Sequence, residues 1–251
     1  MSVLLIQADA RALPLADESV DAVVTDPPYG ISGQGKVQKS GSGDGIVSSV
    51  SFGDWDLEAM HGHFVESFRI LRPGGAIISF CDMVEITTAR DHAIAAGFRA
   101  RQSFYWVKSN PPPNPRKNFR SGIEVAIYCV KPGRMLWWGG GQPTNYWIEP
   151  LTASSFGRLL HPCQKPVALM RHLIRLVVPP RGSVVDMFAG SGSTGIAARI
   201  EQRNAVLVER DAVHVQTARA RIAGADTVDA DTGELIFDQP RLNFDTTTDA
   251  A

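Results

Sequence analysis

Asp26-Pro27-Pro28-Tyr29-Gly30 follows an apolar run, Ala22-Val23-Val24, and its residue types suit it to gripping an amine. The prolines fix φ, lack backbone N–H groups and push their predecessors toward extended geometry. The carbonyls of Asp26 and Pro27 therefore precede residues that cannot donate, beside a carboxylate and a phenol ring. Such a corner is rich in acceptors, poor in donors and bounded by a flat face. It fits a planar group carrying NH2, which offers two donors and a π surface. A lone Asp-Pro-Pro would signify only a turn, with Asp26 as turn former.

A second stretch far downstream gives this corner a counterpart. Val184-Val185-Asp186-Met187-Phe188-Ala189-Gly190-Ser191-Gly192-Ser193-Thr194-Gly195 reads as strand, glycine turn and helix start. Glycines let backbone approach a ligand closely, and a helix N-terminus attracts negative charge. Gly190-x-Gly192-x-x-Gly195 also meets the dinucleotide spelling, and Glu209 ends the next strand, where a ribose-binding acid belongs. A Walker loop is excluded, because no Lys-Ser/Thr pair follows the glycines. Asp26 and Asp186 both stand at the carboxyl ends of expected strands. Ligands of open α/β sheets bind beyond those ends, at the switch point. If the two strands are neighbours, one crevice holds a nucleoside cofactor and an amino-bearing planar group. That constellation points to group transfer to an exocyclic amine.

The elements that must position these loops alternate between strand and helix. Strands are expected at 3–6, 20–25, 76–80, 104–106, 125–130, 182–186 and 205–209. Helices are expected at 57–71, where Met60, Phe64, Phe68 and Leu71 recur at helical spacing, and at 83–96, 166–178, 193–202 and 211–223. Arg72-Pro73-Gly74-Gly75 is expected to stop the first helix, and Asn110-Pro111-Pro112-Pro113-Asn114-Pro115 is a rigid non-helical link. The alternation predicts an α/β fold: a doubly wound, mainly parallel Rossmann-like sheet with a small inserted segment. Residues 1–130 form the half that carries the Asp26 corner, 131–160 the loop-rich, aromatic insertion and 161–225 the half that carries the glycine turn. The glycine- and serine-rich 30–53 stretch reads as a long loop beside the site, a candidate lid. The tail from Asp226 sets seven acids against Arg241 alone and reads as mostly disordered or loosely docked.

Bulk properties narrow the partners. A chain of 251 residues, 44% of them hydrophobic, can build one well-packed α/β domain. The net charge of −1 gives no global basic field, so any contact with nucleic acid must rest on a local patch. Arg101, Lys108, Arg116, Lys117, Arg120, Lys131 and Arg134 supply one, against Glu124. Trp137, Trp138, Tyr146 and Trp147 follow and could meet phosphates and unstacked bases. Cys81, Cys129 and Cys163 form no CxxC, which fits a reducing compartment. His61 and His63 are not at facing spacing, and His161 and Cys163 lack further partners, so no metal site is expected. No apolar run approaches a membrane span, and the reading is of a cytoplasmic protein.

The motifs together resemble the amino-group-specific DNA methyltransferases that use S-adenosylmethionine. Asp26-Pro27-Pro28-Tyr29 is similar to their catalytic loop and Phe188-Ala189-Gly190-Ser191-Gly192 to their cofactor loop. Leu71 to Gly75, Trp106-x-Lys108 and His161-Pro162-Cys163-Gln164-Lys165-Pro166 match as well, so the resemblance covers residues 1 to about 222. The catalytic motif precedes the cofactor motif, which is the permuted order of the β group. The resemblance implies a base flipped out of double-stranded DNA. It implies that the Asp26 carboxylate and the Pro27 carbonyl accept the amine hydrogens, with Tyr29 stacking on the base. It further implies that Glu209 holds the ribose, Asp186 and the Phe188–Gly192 loop shape the cleft, and Asp9 accepts from the adenine amine. Gln164 and Lys165 would hold the methionine carboxylate. Lys108, Arg116, Lys117, Arg120, Lys131 and Arg134 would contact DNA. Relatives in that group often dimerise, which makes a homodimer an option.

Asp26 leans toward adenine N6, since Ser at this position is more usual in the cytosine-N4 group. Cytosine N4 or an RNA base remains open as acceptor. A nicotinamide-dependent oxidoreductase would account for the glycine spelling but leaves Asp-Pro-Pro-Tyr unexplained. A non-catalytic DNA-binding protein conflicts with intact acids at 26 and 209.

Overall fold

The computed structural model describes residues 1–28, 57–111, 119–139, 141–151, 164–224, 227–228 and 235–236. Tyr29, the 30–53 stretch, Arg116, Lys117, His161, Cys163 and most of the tail lie outside these residues. Nine strands join in one sheet: β1 (Val3–Gln7), β2 (Val20–Thr25), β3 (Leu71–Cys81), β4 (Arg99–Ala100), β5 (Phe104–Val107), β6 (Ile123–Val130), β7 (Tyr146–Ile148), β8 (Ser183–Asp186) and β9 (Asn204–Glu209). Their order is β1-β9-β8-β2-β3-β6-β5-β7, with β4 also paired to β6. Pairing is parallel from β1 through β3 and between β5 and β7. Strand β6 runs antiparallel to β3, β4 and β5. This is the doubly wound, mainly parallel α/β arrangement expected from the alternation.

Both faces of the sheet are covered, which is why the central strands read as unbroken apolar runs. All six residues of β2 are buried. Successive side chains point to opposite faces. Ala22 and Val24 accordingly pack with Ile78, Phe80 and Val184 under α3 (Val167–Val177) and α4 (Ser193–Ile200). Val23 packs with Ile77 and Val185 under α1 (Leu57–Ile70) and α2 (Ile86–Ala95). Helix α3 buries Leu169, Met170, Leu173, Ile174, Leu176 and Val177 on one face. Each buried aliphatic side chain contributes roughly 1.5–3 kcal/mol of transfer free energy. Helix α5 (Ala212–Ala223) begins at Asp211, whose carboxylate accepts from the backbone N–H groups of Val213 and His214.

Three departures from expectation have local causes. Strand β3 begins at Leu71, directly after α1, rather than after a four-residue stop. Leu71 already pairs with Val20, and pairing then resumes at Ala76 with Ala22. The irregularity falls where Pro73 has no N–H to give. Gly75 fits there because a Cβ would lie 2.8 Å from the Asp21 carbonyl oxygen. Strand β7 was hidden because Tyr146-Trp147-Ile148 is short and sits inside a loop-rich segment; it extends the sheet beside β5. In the tail, which the composition reads as mostly disordered or loosely docked, β10 (Thr227–Val228) and β11 (Leu235–Ile236) pair antiparallel.

Candidate active site

The sheet reverses its winding between β8 and β2. From β8 the chain passes through α4 to β9 on one side; from β2 it passes through α1 to β3 on the other. Strands β2 and β8 are paired neighbours, Ala22 with Val184 and Val23 with Val185. Their carboxyl ends are tied by side chains. Thr25 Oγ1 donates to Asp186 Oδ1 at 2.7 Å, and the Met187 N–H donates back to Thr25 Oγ1 at 3.1 Å. The loop that starts with Asp26 and the loop that leads to Gly190 therefore leave the sheet side by side. This is the crevice in which open α/β sheets hold ligands.

Asp186 acts as the latch of that junction. It also accepts from Thr194 Oγ1 at 2.5 Å and from the Phe188 N–H at 3.1 Å. Burial pushes its carboxyl up to about 6, against hydrogen bonds from Thr194, Thr25 and Phe188 that lower it. Beyond it, Gly190 and Gly192 take φ of 48° and 81°, the left-handed region open to glycine at little cost. Glu209, at the end of β9, accepts from the Gly190 N–H at 3.0 Å and from the Asp211 N–H at 2.9 Å. Its carboxylate thus stands against the glycine turn. Underneath, the buried Arg221 of α5 donates from Nη1 to Ser191 O, Ser191 Oγ and Ser193 Oγ at 2.9–3.0 Å. Arg221 is absent from the sequence expectations, because one arginine in a helix carries no signal of what lies above it. Ala189 is buried, and the half-buried Phe188 meets the edge of His63 at 5.6 Å.

On the other bank, Pro27 is buried and Asp26 and Pro28 are half-buried. Lys165, just before α3, places Nζ 2.5 Å from Asp26 Oδ2 and 2.9 Å from Glu124 Oε2. Lys108 Nζ lies 2.7 Å from Glu124 Oε1. The result is a chain of alternating charges, Asp26–Lys165–Glu124–Lys108, with Lys165 only 7% exposed and seated 4.9 Å from the Phe80 ring centre. Burial opposes the charge on Glu124, yet Lys165 and Lys108 hold its carboxyl below the usual carboxylate range. The sequence reading set Lys165 toward a cofactor carboxylate and counted Glu124 only as an acid among bases. The structure brings Lys165 to Asp26, a contact between residues 139 positions apart, and Glu124 to Lys165. Gln164 is half-buried beside them. Asp9 follows the end of β1, whose Gln7 pairs with Glu209. It is engaged by Arg11 Nε and Nη2 at 2.9 and 2.8 Å, and these bonds hold its carboxyl below the ordinary range despite partial burial.

The expected basic patch divides. Lys108 and Arg120 flank the ends of β5 and β6 that meet the carboxyl end of β3, on the crevice side. Lys108 is nonetheless turned inward to Glu124, while Arg120 is exposed. Lys131 and Arg134 follow the other end of β6, where Val130 pairs with Ala76 at the start of β3's parallel run. Lys131 is buried and donates to Phe68 O, Leu71 O and Glu18 Oε1 at 2.8–3.1 Å, so it caps the end of α1 rather than facing DNA. Arg134 is exposed but lies at the end of the sheet away from Asp26. The expected aromatic surface is also partly internal. Trp147 stacks on His172 at 4.1 Å, Trp138 on Tyr128 at 5.7 Å, and Trp137 Nε1 donates to Arg175 O at 3.2 Å. Aromatic side chains serve core packing as readily as base stacking, and composition does not distinguish the two.

A doubly wound sheet with a glycine turn and an acid-tipped loop on either side of its switch point defines a Rossmann-like α/β protein with a ligand crevice. The chain belongs to the DNA methylase family of the N6/N4 amino type, whose model matches residues 20–220. Among its relatives is the type II methyltransferase M2.MboI of Moraxella bovis, 27% identical over 227 residues, covering 82% of this chain and 81% of that protein. The type II methyltransferase M2.LlaDCHI of Lactococcus lactis subsp. cremoris is 27% identical over 246 residues, covering 88% and 89%. Of solved structures, the M1.HpyAVI–SAM complex superposes with a TM-score of 0.68 at 25% identity, covering 88% of this chain and 98% of that one. The cytosine-N4-specific PvuII DNA methyltransferase superposes at 0.67 with 18% identity, covering 92% and 88%, a likeness of fold.

Proposed function

We propose that this protein transfers a methyl group from S-adenosylmethionine to the N6 amine of adenine in double-stranded DNA, and that it is a member of the permuted β group. The observation that carries the reading is the junction of β2 and β8. Thr25 and Asp186 are bonded, and Asp26 and the Gly190 turn open onto one crevice. The cofactor, S-adenosylmethionine, supplies an electrophilic methyl group. The residues before Gly192 suit a nucleoside: backbone bare of side chains at two left-handed glycines, with the Glu209 carboxylate at the rim for ribose hydroxyls. Asp9, Gln164, Asp186, Phe188, Ala189, Ser191 and Glu209 are its proposed neighbours.

Opposite, the Asp26 carboxylate and the Pro27 carbonyl receive the two amine hydrogens of a flipped base. This draws the nitrogen toward sp3 and directs its lone pair at the methyl group. The bond to sulfur breaks as the bond to nitrogen forms, and Asp26 takes the departing proton. Positioning and electrostatics carry the rate. Tyr29 is the proposed stacking partner, and Arg116, Lys117 and Arg120 are the proposed phosphate contacts. Aspartate rather than serine at 26 supports adenine over cytosine. The test is digestion of unmethylated DNA after incubation with the enzyme and tritiated donor. N6-methyldeoxyadenosine is expected. N4-methyldeoxycytidine would overturn the choice of base, and no labelled nucleoside would overturn the activity.

A further inference from the structure

The Asp26–Lys165–Glu124–Lys108 chain does more than neutralise buried charge. Lys165 gives its ammonium to the carboxylate that must receive the target amine, at 2.5 Å. An ammonium there cannot remain through the reaction. During methyl transfer, positive charge passes from sulfur to the amine nitrogen, and a fixed cation on the same carboxylate would oppose that charge in a site poor in water. It would also hold Oδ2, one of the two carboxylate oxygens open to the amine. Glu124 offers the ammonium a second carboxylate at 2.9 Å, already oriented by Lys108 at 2.7 Å. Little motion of the side chain is required, and the charge stays compensated throughout.

We propose that Lys165 is a placeholder for the target amine: it holds Asp26 while the pocket is empty and passes onto Glu124 when a base enters. The inference rests on the methyltransferase reading and adds a regulatory step to that site. Lys165 and Glu124 are positioning residues in this scheme. They keep Asp26 oriented and ionised between turnovers and make base entry an exchange of one N–H donor for another. Because Lys108 precedes the proline link on the crevice side, the same chain couples Asp26 to the DNA-facing end of the sheet.

The experiment begins with wild-type turnover on DNA; its absence would refute the methyltransferase reading itself. In Glu124→Gln, Lys165 has lost the carboxylate that would receive it and stays on Asp26. The turnover number should then fall on the order of tenfold or more, with affinity for S-adenosylhomocysteine unchanged by calorimetry. Adding Lys165→Met should restore most of that loss. A double variant no faster than Glu124→Gln overturns the proposal. So does a drop of tenfold or more in S-adenosylhomocysteine affinity for Lys165→Met, which would make Lys165 a cofactor ligand. Should Glu124→Gln fail to fold, Lys165→Met alone decides. With 2-aminopurine at the methylated position, its base-flipping fluorescence should rise at lower enzyme concentration than for wild type. An unchanged or higher midpoint sinks the idea.

Discussion

Asp26 has its meaning from what surrounds it. The Lys165 ammonium meets its carboxylate, and the Asp186 latch holds Thr25, the residue before it. Asp26→Ala is expected to abolish methyl transfer while calorimetry still detects cofactor binding; retained turnover would disprove its role. Asp186 makes a pH prediction. Its folded carboxyl titrates near 6, above the ordinary value of 3.8. A raised value means that the folded state prefers the proton. This contribution to stability is therefore complete below about 3.8 and lost as pH rises through about 6. The difference of roughly two units corresponds to about 3 kcal/mol. Asp186→Asn should gain melting temperature relative to wild type between pH 4.5 and 7.5; parallel curves for the two proteins would contradict this. The sequence pointed to Asp26, Asp186 and Glu209 because each ends an apolar run. It could not point to Glu124 or Arg221, whose roles come from partners far along the chain.

At the scale of elements, the glycine turn and α5 form one unit. Gly192 has φ of 81°, and a Cβ there would stand 3.1 Å from Ile222 Cδ1 and 3.3 Å from Ala218 Cβ. Gly192→Ala should cost about 1–2 kcal/mol from the left-handed backbone. It should also weaken S-adenosylhomocysteine binding in calorimetry, since the turn must shift off α5. Helix α3 works differently. Its amino end delivers Lys165 to the crevice, and its apolar face anchors it on β2 and β3. Leu173→Ala should destabilise the fold by roughly 2–5 kcal/mol in urea titration through the cavity it leaves. Element type was readable because apolar periodicity is local. Strand β7 and the early start of β3 were not, because both depend on a partner strand supplying hydrogen bonds to residues with weak propensity of their own.

For the molecule as a whole, ligand linkage is the simplest check. S-adenosylhomocysteine at about 100 times its Kd should add roughly 2.7 kcal/mol, a rise of about 5–10 °C in melting temperature, while NADH should add nothing measurable. The reverse pattern would favour the oxidoreductase reading. The basic patch shows where sequence-level reasoning stops. Lys108, Lys131 and Arg134 look alike in a list of charges, yet the fold turns one into the site, buries one under α1 and leaves one at the far end of the sheet. The sequence alone determined the alternation of strands and helices, the two loops with chemical character and their order along the chain, because each is written in neighbouring residues. Only the tertiary structure decided that β2 and β8 are adjacent, that Lys165 rests on Asp26 and that Glu124 shares its ammonium. The first two of these join segments more than a hundred residues apart, and which segments meet is set by the packing of the whole sheet rather than by any local preference.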